Sequence, residues 1–233
     1  MKKYDNITTL EAKYVKESFD LIAPTYDRGR KVWRELLKHA ASYDIILDAG
    51  CGTGRSSLYL AKIGSEVICL DLSYNMCKIA YKRAHRHRIL TIYVINAHIA
   101  FLPIRKSSIE ACVLLATIHH IPRRNRRIKV LTQIKECLKN NGLVILSCWY
   151  RYRPRNLFLS LKWIIVKRLY EWGDALVPWK TRRKTTYRFY HFCTKKEIKE
   201  EVSRAGFHVI ECFLWSPSKR LIKDNVVVIA RRP

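Results

Sequence analysis

A strand-like run, Ile45-Ile46-Leu47-Asp48-Ala49, leads straight into Gly50-Cys51-Gly52-Thr53-Gly54-Arg55, with glycine at every second position. Glycine lets a backbone turn tightly and approach a ligand with no Cβ in the way, so this loop is read as a cradle for a small molecule. A nicotinamide or flavin fingerprint needs glycine at position 55, where this chain has arginine, and that excludes dinucleotide chemistry. A second group with chemical potential is Thr117-Ile118-His119-His120-Ile121, followed at once by Arg123, Arg124, Arg126 and Arg127. Either imidazole is a candidate base or orienting group, although a lone histidine at such a corner is more often a hydrogen-bonded structural residue. The four arginines suit phosphate, against the plainer reading of a solvated helix face. A third group is Arg151 to Arg188, where 11 basic and 2 acidic side chains interleave with Tyr152, Phe158, Trp163, Tyr170, Trp172, Trp179 and Tyr187. The eight cysteines form no Cys-x-x-Cys pair, so neither a zinc knuckle nor a redox dithiol is encoded and no metal site is expected.

These groups must be held by elements that alternate. Short β-branched runs mark strands at Ile45 to Asp48, Glu66 to Asp71, Thr91 to Asn96, Ala111 to Ala116, Gly142 to Tyr150, Val209 to Leu214 and Asn225 to Ala230. Amphipathic stretches lie between them, and two helix starts carry capping boxes, Thr8-x-x-Glu11 and Thr194-x-x-Glu197. Strands that are apolar on both faces and alternate with helices imply an α/β, Rossmann-like fold with a mostly parallel seven-stranded sheet. The last two strands, separated only by a turn around Ser216-Pro217, imply a C-terminal antiparallel hairpin at one edge. The whole chain, 1–233, reads as one domain, in which 151–193 is a basic and aromatic insertion longer than any simple connection requires. In an open α/β sheet, ligands sit beyond the carboxyl ends of the strands, which places the His119-His120 turn beside the glycine loop.

The G-x-G-x-G spacing with Asp48 two residues ahead resembles the S-adenosylmethionine site of class I methyltransferases. So does Asp71 at the end of the second strand, continued by Leu72-Ser73-x-x-Met76. The resemblance implies that Asp71 accepts the ribose hydroxyls and that Asn96-Ala97 faces the adenine. It also implies that Ile22-Ala23-Pro24-x-Tyr26-Asp27 belongs to a lid over the methionine part of the donor. Further along, Asp174-x-x-Val177-Pro178-Trp179 and Arg188-Phe189-Tyr190-His191 resemble segments of the wobble-uridine tRNA carboxymethyluridine methyltransferase family, as does the Ile118-His119-His120 turn with its trailing arginines. Near the lid, Tyr26-Asp27-Arg28-Gly29 is closer to methyltransferases in general than to that family.

The family resemblance implies methyl transfer to the carboxylate of 5-carboxymethyluridine in tRNA. Arg188, Arg126 or Arg127 would hold the carboxylate, His191 and His119 would donate to it, and Tyr190 or Trp179 would stack on the base. A carboxylate is ionised at neutral pH and needs no strong base. The same resemblance implies a small zinc-binding activator subunit that adds a strand at the edge formed by Thr91 to Asn96, making a heterodimer.

Charge sharpens the expectation. The chain carries a formal +26; up to residue 80 there are 12 basic against 10 acidic side chains, and beyond it 33 against 9. The field lies on Lys82 to Arg88, the arginines after His120, and the insertion, where Arg151, Arg153 and Arg155 begin the RNA-facing set. Such a charge needs a polyanionic partner and argues against a quinone-type small-molecule methyltransferase. The intact Asp48, glycines and Asp71 argue against a non-catalytic RNA-binding module on the same fold. No secretory signal is read in MKKYDNITTL and no stretch is long and apolar enough for a membrane, so a cytoplasmic location is expected.

Overall fold

A computed structural model describes residues 13–165, 169–180, 185–217 and 223–233. A helix through residues 13–22 (α1) leads by way of a 3-10 turn to the short α2 (Arg34–Leu37). Then follow β1 (Ile45–Ala49), α3 (Arg55–Lys62), β2 (Glu66–Asp71), α4 (Tyr74–Arg86), β3 (Ile92–Asn96) and β4 (Ile109–Leu115). The second half runs α5 (Arg124–Cys137), β5 (Leu138–Trp149), α6 (Pro154–Ile165), β6 (Asp174–Lys180), β7 (Thr185–His191), α7 (Lys195–Arg204), β8 (His208–Trp215) and β9 (Asn225–Arg231). The Thr8 capping box lies outside the described residues.

Seven strands form one sheet in the order β3-β2-β1-β4-β5-β9-β8. Pairing is parallel from β3 to β5, then antiparallel for β9 against β5 and β8 against β9. The alternation of strand side chains sorts the core into two layers. Ile46, Val67, Cys69, Val113, Ile145, Val227 and Ile229 bury themselves on one face against Leu36, Leu37 and Leu60. Leu47, Leu70, Leu114, Val144, Leu146 and Val228 bury themselves on the other against Val130, Leu131, Ile134, Ile198 and Val202. At roughly 1.5–3 kcal/mol for each fully buried aliphatic side chain, these layers dominate the stability of the domain. The eight cysteines are all free thiols and six are buried, five of them acting as small hydrophobes within these layers.

Helix starts obey their local chemistry. Ser73 caps α4 by accepting from the Met76 amide at 3.1 Å, and Thr194 with Glu197 forms the expected capping box on α7. By contrast, α5 has no side-chain cap of its own; Glu171, from the insertion, accepts from the Arg124 amide at 2.6 Å. The insertion itself holds elements that composition did not reveal. Helix α6 precedes a two-stranded antiparallel ribbon, β6 against β7, that carries Val177 opposite Arg188 and Ala175 opposite Tyr190. Pro178 is tolerated there because a two-stranded ribbon leaves outer N–H groups without a partner strand. No described helix is long and apolar enough to cross a membrane.

Candidate active site

A cavity of about 1150 Å³ runs along the carboxyl ends of β2, β1, β4 and β5 to the start of β9. Its first part is the glycine loop. Gly50 and Gly52 line it in left-handed conformation, and a Cβ on Gly50 would lie 2.3 Å from Thr117 Cγ2, so only glycine fits under the β4 turn. Gly54, also at positive φ, does not line the cavity; a Cβ there would meet Ala80 Cβ at 2.9 Å, so it allows α3 and α4 to approach.

Asp71 accepts from the Gly52 amide through Oδ2 and from the Ser73 amide through Oδ1, both at 2.8 Å. Asp71 lines the cavity, and each of its carboxylate oxygens can accept a further hydrogen bond, which suits a vicinal diol. Asp48, buried beside it, accepts from Ser57 Oγ at 2.5 Å. Burial pushes both carboxyls up to about 6, with Asp71 adding repulsion at Asp48. Two carboxylates and a glycine cradle fit a donor that carries a ribose and positive charge, with Leu72 and Met76 as apolar wall. Asn96 and Ala97 are placed otherwise than expected. Neither lines the cavity, and Asn96 Nδ2 donates to the carbonyls of Asp71 and Leu72 at 2.9 Å, bracing the loop; His98, Ile99, Ala100 and Phe101 form that wall instead.

The lid reading extends further than Tyr26 and Asp27. Asp27 bridges Arg55 (3.1 Å), Arg83 and Thr53 Oγ1 (2.6 Å), fixing the segment after α1 to α3 and α4. Asp20 on α1 accepts from Ser73 Oγ at 2.6 Å and from the Asn75 amide at 3.0 Å. Phe19 meets the His120 ring edge-on at 4.8 Å, so α1 covers the cavity where β4 ends.

Beyond β4 the backbone is strained: Ala116 (φ 57) and Arg123 (φ 69) both sit at positive φ without being glycine. Between them the two histidines part. His120 lines the cavity, and its Nδ1 lies 2.8 Å from the Phe189 carbonyl, which can only accept, so the proton sits on Nδ1 and Nε2 is bare. Burial, with Arg188 and Arg30 nearby, pushes its pKa down to about 3 against the help of that carbonyl. His119 is fully buried behind it, stacks on Tyr190 at 4.8 Å, and has no hydrogen bond to either nitrogen among the described residues. Burial holds it neutral, far below the usual histidine range, and it does not reach the cavity.

Two of the seven arginines expected to meet RNA, Arg127 and Arg151, are buried. Arg127 is 1% exposed and forks onto Glu201 (2.7 and 3.0 Å) while also holding Glu171 (2.9 Å). Burial works against its charge, but Glu201 and Glu171 raise its pKa above the ordinary arginine value. Arg124 pairs with Glu200 at 2.6 Å. Arg151, 2% exposed, binds the Phe192 carbonyl and Glu197. His191 is no donor to a substrate either; its Nδ1 meets buried Asp174 at 2.7 Å. Glu171, Asp174 and His191 have ligand atoms within 4.8 Å of one another, but Arg127 occupies Glu171, and the Tyr170 and Glu171 amides occupy the other Asp174 oxygen. This cluster rivets the ribbon to α5 and α7.

The remaining predicted residues form a ladder of rings and guanidinium groups. Arg30 lies 4.1 Å over Tyr26, Tyr26 stacks on Trp179 at 6.1 Å, and Arg188 lies 4.7 Å over Trp179 and 5.1 Å over Tyr190. Trp179 is therefore held between the lid and Arg188 rather than free for a base. Arg188 donates to Tyr190 Oη at 2.7 Å, has no carboxylate partner among the described residues, and sits with Tyr190 behind the cavity wall. Burial pushes the Tyr190 phenol up to about 12. Arg126 and Arg153 do line the cavity, the latter paired with Asp224 at 2.7 Å, and Arg155 is exposed over Trp149 at 5.8 Å. Arg123 lies over Tyr170 at 4.4 Å. Arg30, Lys129, Trp149 and Asn225 line the cavity without having been singled out from sequence. Arg30 and Lys129 stand next to segments that were read, but no motif marks which of many basic residues turns inward.

Comparison with known proteins agrees with the geometry. Residues 47–146 match the family model of the methyltransferase domain. An Arabidopsis thaliana tRNA (carboxymethyluridine(34)-5-O)-methyltransferase is 29% identical over 181 residues, which is 75% of this chain and 42% of that protein. The chain thus spans less than half the length of that relative. A Methanosarcina mazei S-adenosylmethionine-dependent methyltransferase structure superposes with a TM-score of 0.71 at 22% identity, covering 84% of this chain and 96% of that one. The [4+2]-cyclase SpnF superposes nearly as well, with a TM-score of 0.70 at 13% identity over 94% of this chain and 95% of its own. The architecture is shared, therefore, by proteins of different chemistry, and the reaction must be argued from the site.

Proposed function

From the premise that the chain carries a methyltransferase domain over residues 47–146, we propose that it transfers a methyl group from S-adenosylmethionine to the carboxylate of a 5-carboxymethyluridine in tRNA. The observation that carries this reading is the state of His120. A histidine with a pKa of about 3 is too weak a base to activate a phenol, a hydroxyl or an ammonium group at neutral pH. An acceptor that arrives already nucleophilic, as a carboxylate does, fits this site. The names of relatives such as the Arabidopsis methyltransferase support the same substrate.

The donor supplies an electrophilic methyl on a sulfonium centre. Asp71 binds its ribose, Asp48 faces its positive charge, and α1 with Phe19 excludes water. Arg30 and Arg126 turn toward the same cavity and draw in the anionic acceptor. A carboxylate oxygen forms the new bond to the methyl as the bond to sulfur breaks, leaving a neutral thioether and a methyl ester. No proton moves, and the work of the protein is alignment. The bare Nε2 of His120 cannot donate to the acceptor, so His120 shapes the turn and Arg188, behind it, adds positive field.

Mass spectrometry of nucleosides from carboxymethylated tRNA, incubated with the protein and the donor, tests this reading. The expected product is the uridine ester, heavier by one CH₂. Transfer to a small phenolic acceptor with none to the tRNA would overturn it. Exposed Lys82, Arg86, Arg88 and Arg155 remain for phosphate, and tRNA affinity should fall with salt at a log-log slope of roughly −0.7 to −0.9 per contacted phosphate.

A small activator subunit is part of the same proposal. Strand β3 is the sheet edge, and Tyr81 (61% exposed), Leu90 (89%) and Tyr93 (50%) lie on it or beside it. A partner strand added there would cover them. Co-expression with such a subunit should raise solubility and activity together; unchanged values would remove the partner from the proposal.

A further inference from the structure

The cavity does not end at the transfer point. It continues past β4 to a wall made by Trp149, Arg153, Asp224 and Asn225. Strand β5 pairs with β4, and β9 pairs with β5 so that Asn225 lies opposite Trp149. Two strand spacings therefore separate the end of β4 from Asn225, on the order of 10 Å. That is about the reach of a pyrimidine ring with a two-carbon arm at C5.

Two properties of this wall point to a nucleobase. Asn225 is 2% exposed, and its Oδ1 has no hydrogen-bond partner among the described residues. A buried amide oxygen left unmatched is destabilising, a burden that a bound donor group would lift. Trp149 packs one side on Tyr190 (4.7 Å) and Phe192 (6.2 Å, interplanar 6°) and still lines the cavity, a rigid aromatic surface for a ring. Arg153 is paired with Asp224 at 2.7 Å, and exposed Arg155 lies 5.8 Å over the Trp149 ring.

We propose that Asn225 and Trp149 form the base subsite and that Asn225 determines specificity for uracil by hydrogen bonding to its imide edge. The inference rests on the acceptor being a carboxymethylated pyrimidine. An amide offers an acceptor and a donor side by side, which matches the N3–H and O2 of uracil. That edge lies away from C5, so the carboxymethyl arm points back toward the β4 turn and the donor. Cytosine has a bare N3 in that place, which would face Oδ1 with a lone pair against a lone pair.

The test uses the full chain and two anticodon stem-loop RNAs, one bearing 5-carboxymethyluridine and the other 5-carboxymethylcytidine. Wild type should favour the uridine RNA by roughly 10- to 100-fold in kcat/KM, the value of one or two matched hydrogen bonds. Asn225→Ala should raise KM for the uridine RNA and bring the preference within about threefold, with donor affinity unchanged as the sign of an intact fold. Asn225→Asp, which retains the acceptor and the shape, should keep most of the preference at reduced efficiency. An Asn225→Ala protein that slows both RNAs equally and keeps the wild-type preference would overturn the subsite and leave the proposed function standing. Wild-type protein that esterifies neither RNA would overturn both.

Discussion

The donor end of the molecule and its basic half treat their polar residues in opposite ways. At the donor end, Asp48, Gly50, Gly52 and Asp71 all line the cavity, and their polar atoms or bare backbone face it. In the basic half, Arg127, Arg151 and His191 turn inward, each against an acidic partner supplied from 17 to 74 residues away. The difference lies in what constrains each residue. A glycine at positive φ under a close neighbour has one permitted identity, so its spacing reports geometry directly. An arginine serves equally as a strut or as a phosphate ligand, and only the position of a distant glutamate decides between them.

Breaking a strut should give the largest effect. Arg127→Ala would leave Glu201, 1% exposed, as a buried carboxylate whose remaining arginine contact is Arg124 at 4.0 Å. Removing one partner of such a pair typically costs about 3–5 kcal/mol, to be read from denaturant midpoints. Donor affinity of the folded protein should be unchanged. A loss below about 1 kcal/mol, joined to weaker tRNA binding, would return Arg127 to the RNA-facing set. At the other end, Asp71→Ala should leave the melting temperature nearly constant and weaken the donor by roughly 10²-fold, the value of two hydrogen bonds to a charged acceptor. Calorimetric titration with S-adenosylhomocysteine would measure it. If the affinity held while the fold weakened, Asp71 would belong with the struts.

The same contrast explains what could be read from the amino acids alone. The strands inside the sheet, such as β1, β4 and β9, come from apolar runs of Ile, Val and Leu whose burial on both faces admits few alternatives. The β6–β7 ribbon carries no such signal, because Pro178 and the charged Arg188 interrupt its pattern and its register depends on Asp174 meeting His191 across the pair. His119 and His120 are adjacent and chemically identical, yet one faces the cavity and the other stacks on Tyr190. Only the fold of the 3-10 turn separates them. Trp179 looked like a base-stacking residue, but its neighbours Tyr26 and Arg30 come from the far end of the chain.

The donor-end carboxyls offer a smaller and sharper test, because their two linkages run in opposite directions. Burial pushes Asp48 and Asp71 from 3.8 to about 6 in the folded protein. Between those values the folded state holds protons that the unfolded chain has released. Their contribution to stability therefore rises as pH falls from about 6 toward 4, and it is lost as pH climbs through 6. Binding of a positively charged donor favours the ionised carboxylates, so its affinity should fall over that same window, approaching tenfold per pH unit for each coupled carboxylate. Titration calorimetry between pH 7 and 5, beside the melting temperature of the donor-free protein, would show the opposed slopes. Asp48→Asn, which keeps the shape beside Ser57 but cannot ionise, should flatten part of both. An affinity that stays level down to pH 5 in the wild type would mean that these carboxylates do not face the donor's charge, and the donor end would lose the feature that separates it from the basic half.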